Sequence, residues 1–395
     1  MKKIVASAAV ICLLFTGIFS YFQIRAKSES EDPGKNDLQT AYQQALEKLP
    51  QADFAAMYAE HDPDEIVATD ADREITWTEF FHFYYSYISQ ISEYMATMSV
   101  YYGEAPSWDD VYDSENGLTF MELPAYSARE DILQYVAIEK FAAENGIEPS
   151  GDTEAAVDQA ISENAQTYCG DTADSAAFSG FLSKNYLTED LYRNLVGSSY
   201  LYQQMFTDIY GENGSRVSDE TAVGYLEENG YLSANHILLM TRDMTNGENA
   251  DEDTVRQKEE KAAGIAAELQ AIEDRDARVR RFMELKEEYD EDTGRLYYPD
   301  GYTFTSGTMV TEFEKAVQEL GDYEVSDPVE SAYGYHVIMR LPLSGDALIE
   351  FSNGGSPLTA RTKFANADYG GKLQDCLDSL KFEYAPGFAP ELIFS

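Results

Sequence analysis

The sequence predicts an α+β protein, in which a mainly helical part is followed by a smaller part that alternates between strands and helices. Apolar residues recur at helical spacing through much of residues 66–230. From residue 231 the pattern changes to strand, helix and strand. A third observation concerns the N-terminus, where an apolar run of about 21 residues, Ile4 to Ile24, predicts a membrane segment.

The N-terminal run is long enough to cross a bilayer of roughly 30 Å. Two lysines precede it, and Arg25 and Lys27 follow it. Cys12 comes after Ile11, where a lipoprotein signal would need a small residue, so a lipid anchor is not expected. Residues 1–27 are interpreted as an uncleaved anchor in preference to a cleaved signal peptide. In either case the body is expected outside the cytoplasm, on the membrane or secreted.

Composition restricts the possible partners. At 395 residues the chain is expected to form more than one domain. It has 72 acidic and 28 basic residues, a net charge of −44, which argues against nucleic acid because phosphate binding needs clustered Lys and Arg. No residues have metal-ligand spacing, so neither a metal nor a cofactor is expected. Cys169 and Cys376 are interpreted as two thiols, with a disulfide left open.

The pattern divides the chain into five segments. Residues 1–27 are the anchor, 28–65 a tether with a short helix, 66–230 a helical domain, 231–343 a β-α-β domain and 344–395 a C-terminal segment. Inside the β-α-β domain we expect strands over Ala234–Met240 and Gly334–Leu341, with helices over Thr254–Glu273, Asp276–Tyr289 and Thr311–Leu320 between them. The last segment is expected to contain a helix over Gly371–Leu380 and to pack on the helical domain.

Two short motifs carry two of the four histidines of the chain. His236 lies in Ser-Ala-Asn-His-Ile-Leu-Leu, and His336 lies near the end of Ser-Asp-Pro-Val-Glu-Ser-Ala-Tyr-Gly-Tyr-His-Val-Ile-Met. Between them lie a helical stretch that ends in Tyr-Asp-Glu-Asp292 and the run Gly-Thr-Met-Val-Thr-Glu-Phe313-Glu. In this order and at this spacing, the four pieces resemble the parvulin (PpiC) family of peptidyl-prolyl cis/trans isomerases.

The resemblance implies a small antiparallel sheet flanked by helices, and catalysis of rotation about X-Pro bonds. That rotation has a barrier of about 18–20 kcal/mol and needs no cofactor. It also implies roles for eight residues of this chain. The catalytic residues would be His236 and His336 as a pair on the pocket floor, Asp292 beside the substrate carbonyl, and Ser331 near the histidines. The substrate-binding residues would be Met309 and Phe313 around the proline ring, with Tyr302 and Phe304 at the rim.

One stretch departs from the family pattern. Members commonly have a Gly-Gly-Asp-Leu-Gly-like segment with an apolar residue facing the ring, where this chain has Pro-Asp-Gly301-Tyr-Thr-Phe. Gly301 falls roughly at that apolar position, so one wall of the pocket should differ. This motivates the alternative of a catalytically weak or inactive peptide-binding chaperone or scaffold.

The layout of the whole chain resembles the extracytoplasmic foldases of Gram-positive bacteria. That resemblance implies a chaperone-like helical domain whose partners would be unfolded exported polypeptides with X-Pro bonds. The N-terminal segment predicts contact with a membrane, and a homodimer is left open. A third hypothesis, a structural envelope protein, predicts neither isomerase activity nor a response to unfolded polypeptide.

Overall fold

The computed structural model describes residues 35–48, 53–70, 73–104, 106–114, 117–169, 175–242, 245, 247–352 and 355–390. The predicted membrane segment and the first part of the tether lie outside these residues. Among the residues described, no helix combines the length and the apolar character needed to cross a membrane. The chain divides into two compact units: a helical unit, which runs to Asp208 and resumes at Asp368, and a sheet unit, Ile209–Ala367.

The helical unit contains seven helices and two hairpins within the first part of the described chain. They are α1 (Lys35–Lys48), α2 (Phe54–Tyr58), β1 (Ile66–Asp70), β2 (Arg73–Thr76), α3 (Trp77–Tyr102), β3 (Val111–Asp113), β4 (Leu118–Thr119), α4 (Leu123–Glu144), α5 (Gly151–Cys169), α6 (Ser175–Lys184) and α7 (Glu189–Tyr210). These bounds agree with the helical spacing of apolar residues that predicts a mainly helical part over residues 66–230.

Helix α3 forms the centre of the helical unit. The Thr76 hydroxyl accepts the amide N–H of Glu79 and begins the helix, and Gly103 ends it with a φ of 82°. Trp77, Phe80 and other apolar side chains at helical spacing are fully buried against α4 and the hairpin β1–β2. Because one face of α3 is aromatic and continuous, this unit has a core of its own.

The remaining elements belong to the sheet unit, except the last two, which lead back into the helical unit. They are α8 (Asp219–Glu228), β5 (Leu232–Met240), α9 (Glu252–Gln270), α10 (Arg275–Tyr289), β6 (Tyr302–Phe304), α11 (Thr311–Glu319), β7 (Val329–Glu330), β8 (Gly334–Leu341), β9 (Leu348–Phe351), β10 (Pro357–Thr359), α12 (Ala360–Asp378) and β11 (Phe382–Tyr384). Four strands form an antiparallel sheet in the order β6-β5-β8-β7.

Helices cover both faces of the four-stranded sheet. Ile237 and Leu239 of β5 point toward α9 and α10, where they join one apolar cluster. Ala234 of the same strand points to the other face, where it joins a cluster with Phe313 and Val317 of α11. Successive side chains of a strand alternate between faces, so His236 lies on the same face as α11.

The C-terminal part of the chain differs from its prediction. The helix expected to begin at Gly371 begins at Ala360, because buried side chains such as Ala365 and Tyr369 continue it through a Gly-Gly pair. The unit boundary correspondingly falls between Ala367 and Asp368. Beyond it, β11 pairs with β1 in a three-stranded sheet of the helical unit. The Cys376 thiol donates to the Ala137 carbonyl at 3.5 Å, so no disulfide joins it to Cys169.

Candidate active site

The two histidines of the sheet unit face each other across β5 and β8. In the antiparallel register His236 lies opposite Ile338, and Leu238 lies opposite His336. The histidines are therefore diagonal neighbours on one face of the sheet, close enough for large side chains to meet. Their rings stack with centroids 5.1 Å apart, and the two Nδ1 atoms are 3.0 Å apart.

A chain of hydrogen bonds continues from both ends of this pair. His236 Nε2 lies 3.1 Å from Asp292 Oδ2, which also accepts the Tyr302 hydroxyl at 2.5 Å. At the other end, the Ser331 hydroxyl lies 2.7 Å from His336 Nε2. Five of the eight predicted site residues thus form one connected line of polar groups on the α11 face of the sheet.

The direction of each hydrogen bond follows from the carboxylate at one end. Asp292 accepts, so His236 donates through Nε2, and its Nδ1 is then the acceptor for the Nδ1–H of His336. His336 Nε2 in turn accepts the Ser331 hydroxyl proton. With one proton on each imidazole, this assignment satisfies every ring nitrogen.

The pKa values agree with a charged Asp292 and a neutral His336. Burial alone would raise the pKa of Asp292, but hydrogen bonds from His236, Tyr302 and the Gly294 amide outweigh it and hold this pKa well below its usual range. Burial lowers the pKa of His336 to about 3, and the neighbouring His236 acts in the same direction. Burial and the adjacent carboxylate raise the pKa of Tyr302, so its phenol stays a donor.

A second polar cluster holds the backbone around His236 and Asp292 in position. One oxygen of the buried Asp290 accepts the amide N–H groups of Leu238 (2.9 Å) and Asp292 (3.2 Å), which fixes the Asp292 loop to β5. Lys286 donates to the side-chain oxygen of Asn235 at 2.5 Å, and the same oxygen accepts the His236 amide at 2.9 Å. Burial raises the pKa of Asp290 and lowers the pKa of Lys286, which lies 4.0 Å from it.

An apolar cavity of about 290 Å³ opens above the histidines. We call it the site cavity, and its lining is His236, Leu238, Met240, Asp292, Thr293, Tyr302, Thr308, Met309, Val310, Phe313, Tyr333 and His336. Phe313 is only 2% exposed, and its ring meets both imidazoles edge-on, at 5.3 and 5.6 Å. This volume lies at the small end of the range for ligand pockets and matches a single small ring with its flanking peptide groups.

Six of the eight predicted site residues line the site cavity, and two lie behind it. Ser331 reaches the cavity only through His336. Phe304 differs from its predicted place at the rim, because it is 3% exposed and packs against Phe313 at 5.8 Å. Phe304 therefore supports the Phe313 ring from within the apolar cluster between the sheet and α11.

The departure from the family pattern at residue 301 has a backbone explanation. Gly301 has a φ of +108°, and a Cβ placed there would lie 2.7 Å from the Ala234 carbonyl oxygen. Because the backbone passes so close to β5, no side chain fits at this position. The wall of the cavity is instead completed by the next residue, Tyr302, whose hydroxyl bonds to Asp292.

Sequence reasoning missed several residues of the site. Leu238 and Met240 line the cavity because they alternate with His236 along β5, and the period of two was a signal that could have found them. Asp290 and Lys286 carried no such signal, since charged residues in and just after a helix rich in charge usually face solvent. Within the described part of the chain, no group of three or more His, Cys, Asp or Glu side chains is arranged to bind a metal ion.

Comparison with known proteins finds matches for this region. Residues 236–341 match the family described as "Rotamase: PPIC-type PPIASE domain". A foldase protein PrsA of Halalkalibacterium halodurans is 30% identical over 147 residues, 36% of this chain and 37% of that protein. Foldase protein PrsA 1 of Bacillus cereus is 49% identical over 61 residues, 15% of this chain and 21% of that protein.

The matched regions are partial. The chain spans less than half the length of these curated relatives. The crystal structure of PrsA from Bacillus subtilis aligns over 69% of this chain and 91% of that chain at 21% identity, with a TM-score of 0.25, and supports no further argument. The matches confirm the family resemblance predicted from the histidine motifs. Residues 236–341 form a PPIC-type, or parvulin, domain. The chain that contains it resembles the foldases of Gram-positive bacteria.

Proposed function

We propose that this protein is an extracytoplasmic foldase that catalyses cis/trans isomerisation of X-Pro bonds and holds unfolded exported polypeptides. The observation that carries the proposal is the site cavity, in which an apolar seat lies directly above a hydrogen-bonded histidine pair and beside a charged Asp292. The family match over residues 236–341 supports the same reaction.

The cavity favours the reaction by binding proline in a dry, apolar place. Phe313 and Met309 would hold the pyrrolidine ring, and His236 and His336 would form the floor. Bond rotation needs no proton transfer, so this floor needs neither an acid nor a base. Catalysis then rests on binding the twisted amide better than the planar one.

Asp292 supplies a reason for that difference in binding. Resonance in a planar amide places extra negative charge on the carbonyl oxygen, and twisting removes it. A carboxylate beside this oxygen repels the planar form more than the twisted form. The hydrogen bonds that lower the pKa of Asp292 keep it charged for this task throughout the neutral range.

The remaining parts of the proposal concern the rest of the chain. Residues 66–230 would act as the chaperone-like domain, with residues 344–395 associated with it, and residues 28–65 would tether both to the N-terminal segment. The apolar run at Ile4–Ile24 supports anchoring at the extracytoplasmic face of the membrane, or secretion if it is cleaved. A homodimer is compatible with this arrangement.

Substitution of Phe313→Ala tests the enzyme directly. We expect isomerisation of short X-Pro peptides to fall at least about ten-fold, because the ring that covers the histidines is lost. The matched control is Val317→Ala, one turn along α11, which is fully buried and lies outside the cavity. Phe313→Ala should lower the free energy of unfolding by about 3–5 kcal/mol and Val317→Ala by less, but only the first should lower activity per folded molecule.

The alternative is a parvulin-fold scaffold that binds peptide without useful catalysis. The altered wall motivates it, because Tyr302 and its bond to Asp292 occupy a side of the cavity where the family has an aliphatic group. If the wild-type protein binds X-Pro peptides but leaves their isomerisation rate unchanged, this alternative replaces the enzyme.

A further inference from the structure

A second cavity lies inside the helical unit, far in sequence from the parvulin domain. It has a volume of about 420 Å³, within the usual range of ligand sites. We call it the helical cavity. Five of its described lining residues are aromatic and come from α4–α7 of this unit: Tyr135, Tyr168, Phe181, Tyr192 and Tyr200. Tyr168 and Phe181 stack nearly parallel, with centroids 4.6 Å apart, so one wall is a flat aromatic surface.

A buried histidine lies in the wall of this cavity. His82 is 1% exposed, and its Nδ1 lies 2.8 Å from the Asn185 carbonyl oxygen, so this nitrogen carries the proton and donates it. Nε2 is then an acceptor, and the described residues provide no donor for it. Burial lowers the pKa of His82 to about 4, so the ring is neutral in the physiological range. His82 lines the helical cavity, so this acceptor is available to a ligand with a suitable N–H or O–H.

The other lining groups restrict the ligand further. Among the described residues of the lining, Glu163 alone has a formal charge at neutral pH, so an anion is disfavoured. Flat aromatic walls favour a flat aromatic ligand, since rings gain from stacked and edge-on contacts beyond their buried area. The cavity therefore fits an uncharged ring that carries one polar hydrogen.

We propose that the helical cavity binds the indole of Trp or the phenol of Tyr, presented by an unfolded polypeptide, with its polar hydrogen donated to His82 Nε2. This deepens the proposed function and rests on it, because it names the side chains by which the helical unit would recognise a client. The polypeptide source is favoured because the chain is proposed to act on unfolded proteins, which expose such side chains. A free aromatic molecule shares the same chemistry and is distinguished by the experiment.

The test uses the full-length chain and a labelled, proline-free peptide with one aromatic position. Its binding is followed by fluorescence anisotropy with Trp, 1-methyl-Trp or Leu at that position. We expect the Trp peptide to bind about ten-fold more tightly than the 1-methyl-Trp peptide, which has lost its N–H. In His82→Leu this preference should disappear. N-acetyltryptophanamide serves as the free aromatic probe and should bind at least about ten-fold more weakly than the Trp peptide.

A cavity-filling variant tests the same site without changing His82, because His82→Leu could lose binding through misfolding alone. Ala160 is partly exposed and lines the cavity, so Ala160→Trp should fill it and abolish binding of the Trp peptide without removing a core side chain. Ala155→Trp, on the exposed side of the same helix α5, is the control and should bind normally. Unchanged binding in Ala160→Trp overturns the inference, and so does equal binding of the Trp and 1-methyl-Trp peptides.

Isomerase activity on a short X-Pro peptide without aromatic residues is measured on the same samples. If the wild type isomerises this substrate but does not bind the Trp peptide, the inference fails and the enzyme proposal stands. If it binds the Trp peptide but does not isomerise, the enzyme proposal fails and the helical cavity remains a peptide site. If the free probe binds as tightly as the peptide, the polypeptide source is wrong.

Discussion

At the scale of single residues, the site depends on a line of hydrogen bonds whose directions are all set by one charge. Asp292 accepts from His236, which accepts from His336, which accepts from Ser331. Protonation would put a hydrogen on His336 Nε2, which now accepts the Ser331 hydroxyl proton, and this would break the order of the hydrogen bonds. The neutral state of His336 is therefore a structural requirement of the site as well as a consequence of burial.

A titration of the four histidines tests this reasoning. In the folded protein the pKa values of His336 and His82 are lowered to about 3 and about 4, whereas unfolded histidine titrates near 6.5. Nuclear magnetic resonance signals of these two rings should therefore stay constant from pH 8 to pH 5.5, with assignments from His82→Gln and His336→Gln. A midpoint near 6.5 for His336 would contradict the hydrogen-bond order.

The sign of the linked stability follows from the same values. Between pH 6.5 and about 3 the unfolded chain binds a proton at His336 that the folded chain does not bind. The stabilisation by a neutral His336 is thus complete above pH 6.5 and is lost as the pH falls toward 3.

At the scale of elements, the position of β6 relative to β5 decides the shape of one cavity wall. β6 pairs with β5 through Ala234 opposite Tyr302, directly beside the close approach at Gly301. This pairing carries the Tyr302 hydroxyl to Asp292. A short strand of three residues therefore delivers a polar group to the site with little freedom to shift.

Gly301→Ala should disturb this wall. The added methyl would meet the Ala234 carbonyl oxygen at 2.7 Å, so β6 must move and the bond from Tyr302 to Asp292 should lengthen or break. We expect a loss of about 2–4 kcal/mol in the free energy of unfolding and a several-fold loss of isomerase activity. The matched control is Gly307→Ala, which has a φ of +85° but no atom within 4 Å of the new methyl. Equal activity in the two variants would show that the wall position is unimportant.

At the scale of the whole molecule, the helical unit is built from two distant parts of the chain. β11 pairs with β1 across more than three hundred residues, and the Ala385 amide donates to the Val67 carbonyl at 2.9 Å. Phe388 packs its ring edge against Trp77 and Phe80. The sheet unit is therefore inserted in sequence between two parts of a unit that needs both.

Truncation after Ser379 tests this dependence. It removes β11 and Phe388, so the helical unit should lose at least about 2 kcal/mol of stability. The two tryptophans of the chain, Trp77 and Trp108, both belong to this unit, and their fluorescence in urea reports its unfolding. Isomerisation of short peptides should survive, because the site lies in the sheet unit. Truncation after Pro390 keeps β11 and is the control; equal stability of the two truncated chains would contradict the role of β11.

The sequence by itself determined the parts that rest on local pattern. Short apolar runs predicted β5 and β8, and the helical patterns between them predicted α9, α10 and α11. The resemblance to the parvulin family implied that His236, Asp292, Phe313 and His336 would meet in one pocket. These signals are readable because each depends on neighbours along the chain or on a pattern shared by a family.

Only the tertiary structure decided the rest. It placed Phe304 behind Phe313 rather than at the rim of the cavity, and it placed Asp290 against the Leu238 amide of β5. It also extended α12 back to Ala360 through two glycines. Each of these depends on contacts between distant parts of the chain, where burial and backbone approach outweigh local preference, and such contacts leave no periodic mark in the sequence.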